Sequence, residues 1–119
     1  MSELHWLMIL WLKAFVFTLA VEVPIFVLFA RGQVPLWRAA VAGAAGTCLT
    51  HPLLWFAWPM VIPDNYELYL ATGESLVVLI ETLTFWLIAR PISLGRAACA
   101  SLVANAASWG LGTIVDRLL

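Results

Sequence analysis

The chain has 119 residues, of which 64% are hydrophobic and 11% charged, and its formal net charge is −1. A soluble domain of this size has too little interior to bury so much apolar surface. The lack of a basic excess argues against nucleic acid as a partner. The sequence therefore predicts a single integral membrane domain that has the lipid bilayer as its surroundings.

Four apolar segments are each long enough to cross the hydrocarbon core, which takes about 17–25 residues of helix. The segments cover residues 6–30, 39–62, 68–89 and 97–115. The first segment is too long for the apolar part of a signal peptide and contains a glutamate, so we expect it to be a retained helix. Short connections make consecutive helices antiparallel neighbours. We therefore expect an all-α, integral membrane four-helix bundle.

The charges in the connecting loops predict the orientation. Loops 31–38 and 90–96 each begin and end with arginine, whereas the loop between the second and third segments carries Asp64 and Glu67 and no basic residue. By the positive-inside rule, loops 31–38 and 90–96 are cytoplasmic and both termini lie outside. We expect the protein in a bacterial inner membrane.

The two halves of the chain, residues 6–62 and 68–115, share a pattern of residues. Because both halves run in the same direction, a duplication predicts two tandem two-helix repeats related by a pseudo-two-fold axis along the membrane normal. Chance resemblance between two apolar sequences is the alternative. The matched pairs are Glu22 and Glu81, Phe26 and Phe85, Arg31 and Arg90, Arg38 and Arg96, Thr47 and Asn105, and Thr50 and Ser108.

Polar residues from all four segments are predicted to meet near the middle of the membrane. Glu22 and Glu81 each precede a loop arginine by nine residues, which corresponds to a depth of roughly 13 Å along a helix. An ionisable group in hydrocarbon is costly and is by default a candidate functional residue. The candidate residues for binding an ion or a proton are Glu22, Glu81, His51, Glu74, Asn105, Ser108 and Thr47.

Metal binding is a narrower version of the same prediction. Glu22, Glu81 and His51 are the candidate metal ligands, although their spacing matches no known metal motif. No organic cofactor is predicted, and a bound cation is compatible with the site. Cys48 and Cys99 lie in separate apolar segments and form no metal-type spacing, so we expect both to be small buried packing residues.

These residues favour a transport-class protein that binds or moves protons or a small cation, as a homo-oligomer or within a larger membrane complex. The alternative is a structural or accessory subunit of such a complex, in which the buried polar residues hold the helices together. A third and weaker interpretation is a membrane enzyme or redox protein that uses His51 and the carboxylates. The serines lack a nucleophile motif, and one embedded histidine gives little basis for a catalytic triad.

Overall fold

The computed structural model describes residues 2–118, and this part of the chain is helical apart from short connections. Four helical rods of 23 to 28 residues are long and apolar enough to cross a membrane. This confirms the prediction of an all-helical membrane protein with four spans. The helices are α1 (Glu3–Ala30), α2 (Leu36–Pro52), α3 (Trp58–Val61), α4 (Tyr66–Ile88) and α5 (Leu94–Leu118), and a π-helical segment (Leu53–Ala57) joins α2 to α3 in one rod.

The four rods begin a few residues before the predicted apolar segments, and in α1, α4 and α5 the first turn is stabilised by a polar cap that hydropathy does not detect. The Ser2 side chain accepts a hydrogen bond from the His5 N–H at 3.3 Å. Asn65 caps α4 through a 3.0 Å bond from the Leu68 N–H, and Ser93 caps α5 through a 3.1 Å bond from the Arg96 N–H. Each cap satisfies a backbone donor that has no partner within its helix.

The four rods form a ring in which each packs against two neighbours. Helix α1 packs on α2 and α5, and α4 packs on the same two helices. Helices α1 and α4 therefore lie on one diagonal of the bundle. We call the end formed by loops 31–35 and 89–93 the basic end, and the end formed by linker 62–65 the acidic end. The bundle is 45 Å long, which matches the thickness of a bilayer with its interfaces.

The apolar core lies in the half of the bundle nearest the basic end. Phe26 of α1 and Phe85 of α4 meet across the diagonal with ring centroids 4.6 Å apart. A Cβ atom on Gly43 would lie 2.9 Å from the Phe26 Cβ, so α2 approaches α1 more closely than alanine permits. Small residues allow such close packing between membrane helices. Alanines surround the two rings at positions Ala30, Ala39, Ala42, Ala89, Ala97, Ala100 and Ala104.

The outer surface of the bundle is apolar, as expected for a surface in contact with lipid. The prediction that Cys48 and Cys99 are buried is wrong, because both are exposed on this surface. Cys48 directly follows the buried Thr47, and Cys99 directly precedes the buried Ala100. One residue rotates a side chain by about 100° around the helix axis, which turns both cysteines away from the core.

Two prolines near the middle of the spans, Pro24 and Pro52, affect their helices differently. Helix α1 continues through Pro24, whereas α2 ends at Pro52 and the π-helical segment follows. Proline cannot donate to the carbonyl four residues earlier, so the helical bonding pattern must change locally. The π-helical segment is held against α4, because the Tyr69 hydroxyl donates to the Leu54 carbonyl at 2.7 Å.

Candidate functional site: a buried pair of glutamates

Glu22 lies inside the bundle on α1 and is held by two neighbouring helices. Its side chain is 2% exposed. The Thr47 hydroxyl of α2 donates to Oε1 at 3.1 Å, and the Ser108 hydroxyl of α5 donates to Oε2 at 2.7 Å. Both oxygens of the carboxyl group are therefore satisfied by the two helices that flank α1.

Glu81 occupies the opposite corner on α4 and is 1% exposed. Asn105 of α5 donates to Oε1 through its side-chain amide. The hydroxyls of Thr50 and Thr47, both on α2, lie 3.3 and 3.4 Å from Oε2. Glu81 is thus also held by α2 and α5, so the two carboxyl groups share the same pair of supporting helices.

The two carboxyl groups form a single site. The Thr47 hydroxyl is 3.1 Å from Oε1 of Glu22 and 3.4 Å from Oε2 of Glu81, so the two carboxyl groups are neighbours on either side of it. Two ionised carboxylates this close repel strongly in a medium of low polarity. A proton on one of them removes this repulsion. The geometry is therefore that of a pair that can hold a proton.

The backbone of α2 comes unusually close to this site. A Cβ atom on Gly46 would lie 3.2 Å from the Glu81 Cγ and 3.5 Å from its Cα. Gly46 therefore brings α2 near enough to α4 for the hydroxyls of Thr47 and Thr50 to reach Glu81. Backbone approach through glycine is the usual way to bring polar side chains together between membrane helices.

Each hydroxyl in the site has a second acceptor on its own helix. Thr47 is 3.3 Å from the Gly43 carbonyl, Thr50 is 2.9 Å from the Gly46 carbonyl, and Ser108 is 3.2 Å from the Asn105 carbonyl. A hydroxyl has one proton to donate and two lone pairs to accept. Each can therefore donate to an ionised carboxylate, or donate to its backbone carbonyl while accepting from a protonated carboxyl group.

His51 is buried, but the structure does not place it on the carboxyl pair. Its Nε2 atom lies 3.4 Å from the Thr18 hydroxyl. The rings of Trp11, Phe15 and Trp55 surround it, with centroids 5.5 to 6.2 Å from the imidazole. Within the described part of the chain, its Nδ1 atom is buried without a hydrogen-bond partner. His51 thus belongs to an aromatic cluster beside the site.

Glu74 lies on the acidic-end side of the pair. It is half-buried on α4, seven residues before Glu81, and residues seven apart share a helix face about two turns from each other. Glu74 is therefore placed between the acidic end and the carboxyl pair.

Two of the three candidate metal ligands meet in the structure. Glu22 and Glu81 are together, whereas His51 contacts Thr18 and the aromatic rings. Among residues 2–118, no three His, Cys, Asp or Glu side chains are grouped so that they could hold a metal ion. The three-ligand set remains a prediction.

Two residues of the site, Thr50 and Gly46, were missed by the sequence analysis. Thr50 contacts Glu81 at 3.3 Å but was not among the candidate ion-binding residues. The repeat alignment matches Thr50 with Ser108, which was a candidate, so the alignment itself carried the signal. Gly46 was also missed, because nothing in the sequence shows which glycine lies opposite a glutamate.

Comparison with known proteins gives no identification. No family model matches the chain, and no curated protein or solved structure matches it. The function is therefore argued from the site alone.

Proposed function

We propose that this chain is a transport-class protein of the bacterial inner membrane that binds and moves protons, or a small cation in their place, through the pair Glu22 and Glu81. The observation that carries the proposal is that the hydroxyls of Thr47, Thr50 and Ser108 each have two acceptors within reach. One acceptor is a glutamate oxygen, and the other is a backbone carbonyl of the same helix. A site that gains and loses a proton must remain hydrogen-bonded in both states, since an unsatisfied buried polar group is costly.

These hydroxyls meet that requirement without movement of a helix. When a carboxyl group is ionised, the neighbouring hydroxyl donates to it. When the carboxyl group is protonated, its O–H donates a hydrogen bond to the hydroxyl oxygen, and the hydroxyl donates its own hydrogen to the backbone carbonyl. Asn105 is a fixed donor to Glu81, since its amide also bonds the Ser101 carbonyl at 2.8 Å. The two glutamates thus have unequal partners, which favours the proton on one of them.

The internal repeat is part of the proposal, and the hydrogen bonds support it. The bond between Thr47 and Glu22 within the first half corresponds to the bond between Asn105 and Glu81 within the second. The bond between Ser108 and Glu22 corresponds in the same alignment to that between Thr50 and Glu81. A pseudo-two-fold axis along the bundle between the two glutamates would relate these bonds.

The proposed direction of access is from the acidic end. Between the pair and the basic end, Phe26 and Phe85 pack in contact and alanines fill the remaining space. Toward the acidic end, no residue of α1 before Glu22 and none of α5 after Ala104 is buried, within residues 2–118. Glu74 lies on this side and would form the outer mouth, beside His51. The arginines of the basic end favour a cytoplasmic location for that end. Reporter fusions at the two termini would test this orientation.

The experiment is proton flux into liposomes that contain the purified protein and a pH-sensitive dye. An imposed potential should drive acidification with wild-type protein and with Thr84→Val, which changes a half-buried threonine outside the site. Glu22→Gln combined with Glu81→Gln should abolish the flux, because glutamine accepts hydrogen bonds but cannot release a proton. Equal proton flux in wild type and the double variant would overturn the proposal. The same comparison with imposed sodium or potassium gradients tests the cation alternative.

The accessory-subunit hypothesis is supported by a different observation. All four carboxyl oxygens of Glu22 and Glu81 are hydrogen-bonded to side chains on another helix of the same bundle. This is expected for side chains that hold helices together. On this account, the double glutamine variant would show weaker association or a different native mass, and wild type would show no flux. Native mass measurement also tests the proposed homo-oligomer or larger complex.

A further inference from the structure

A groove opens between α1 and α5 near the basic end, away from the carboxyl pair. Its volume is about 400 Å³, and it is lined by Leu28, Phe29, Gly95, Arg96 and Cys99. Leu28 is 63% exposed and Cys99 is exposed as well, so the apolar wall of the groove faces the surroundings of the bundle. In a membrane, this wall lies against lipid.

Arg96 lies at an edge of this groove, where a hydrogen bond to α1 holds its side chain in place. Its Nη1 atom donates to the Phe29 carbonyl at 3.2 Å, which is one of the last carbonyls of α1 and lacks a partner within that helix. The guanidinium group has five N–H donors, so one bond fixes its position and leaves others for a ligand. Its planar arrangement of donors matches a phosphate group.

The charged residues of the basic end are all positive. Arg31 and Arg90 lie in its loops, Arg38 and Arg96 lie in the first turns of α2 and α5, and residues 31–38 and 89–96 include no acidic residue. Arg31 is exposed and follows Phe29 by two residues, at the end of the helix that forms one side of the groove. This combination of a basic edge and an apolar wall is complementary to a lipid with a negatively charged headgroup.

Small residues create the space in the groove. A Cβ atom on Gly95 would contact nothing within 4 Å. The positions of the first half that align with Gly95 and Cys99 are Trp37 and Val41. The first half thus has larger residues at the positions of Gly95 and Cys99, so the space beside Arg96 has no counterpart in the first half.

We propose that this groove binds one phospholipid with an anionic headgroup. The phosphate lies against the Arg96 guanidinium, and the acyl chain lies along Leu28, Phe29 and Cys99. The helix ends that form the groove are at the level where the headgroups of one leaflet begin, because the loop arginines mark that boundary. The site is separate from the glutamate pair, and its occupancy does not depend on the proposed transport function.

The test is native mass spectrometry of the detergent-purified protein with added phosphatidylglycerol or phosphatidylcholine. Wild type should retain phosphatidylglycerol preferentially. Arg96→Gln should weaken its binding by about fivefold, the effect expected for one arginine at a lipid surface. Gly95→Leu should weaken binding as well, because it fills the groove without a clash in the protein. Arg96→Lys should keep part of the affinity, and thermal unfolding shows that the variants are folded.

Arg90→Gln is the matched control, since it removes one positive charge from the same end. Arg90 lies 4.3 Å above the Trp86 ring on α4, outside the groove, so this variant should bind as wild type does. Equal losses in Arg90→Gln and Arg96→Gln would overturn the proposal, as the charge of the surface alone would then explain binding. Unchanged binding in Gly95→Leu, or equal retention of both lipids, would overturn it too. Competition by inorganic phosphate at the concentration of the lipid would show that the headgroup alone is recognised.

Discussion

The two ends of the bundle are built differently, and the glutamate pair lies where they meet. Toward the basic end, alanines and the rings of Phe26 and Phe85 fill the interior. Toward the acidic end, α2 and α4 remain in contact through the π-helical segment, Gly73 and Tyr69. In that half, α1 and α5 contribute no buried residue within the described chain. The comparison indicates a closed half and a more open half, with the two buried glutamates at the border.

The largest expected difference between the two halves is the cost of removing an aromatic ring. Phe85 is 0% exposed, so Phe85→Ala should leave a cavity that the tightly packed helices cannot fill and should reduce stability by about 3 kcal/mol. Phe56, which packs on Trp11 near the acidic end, is half-buried, so Phe56→Ala should cost clearly less. Unfolding in mixed detergents measures both variants, and equal losses would remove the distinction between the halves.

A smaller effect is expected from adding a methyl group. In Gly43→Ala the new Cβ would lie 2.9 Å from Phe26, and overpacking of this kind costs about 1–3 kcal/mol. Gly110 is the matched control in the more open half, because a Cβ there meets nothing within 4 Å. Gly110→Ala should therefore cause no loss of stability. If Gly43→Ala were as stable as wild type, the half of the bundle toward the basic end would not be closely packed.

The smallest effects are expected at the hydroxyls of the site. Ser108→Ala and Thr50→Ala each remove one donor to a glutamate, and hydrogen bonds between membrane helices contribute on average about 0.6 kcal/mol. The two losses should be similar if the proposed repeat is correct, since it would place these residues in equivalent positions. A double-mutant cycle with Glu22→Gln should show coupling for Ser108 and none for Thr50. The reverse pattern would contradict the arrangement of the site.

The sequence predicted the features that depend on helix geometry alone. A rise of 1.5 Å per residue fixes the depth of Glu22 and Glu81 once the loop arginines are known, and the structure brings these two side chains together with Thr47, Asn105 and Ser108. Hydropathy likewise gave the four spans, although the capped ends lie a few residues further out.

The features that the sequence did not show depend on how each helix is rotated against its neighbours. Periodicity indicates which stripe is buried, but not which helix that stripe faces, and so it did not show that His51 packs against Trp11 and Phe15. The exposure of Cys48 and Cys99 has the same cause, because a single residue separates the core from the lipid-facing surface. The π-helical segment after Pro52 depends on its contacts with α4 as well as on the proline.

The most direct test of the central claim is infrared spectroscopy of the protein in liposomes, which detects the carbonyl stretch of protonated carboxyl groups. We expect a band from a buried, protonated carboxyl group at neutral pH that shifts in D₂O, loses intensity as the external pH rises, and disappears in Glu22→Gln combined with Glu81→Gln. Thr84→Val should retain the band. A wild-type spectrum identical to that of the double variant in this region would contradict the claim that the pair holds a proton.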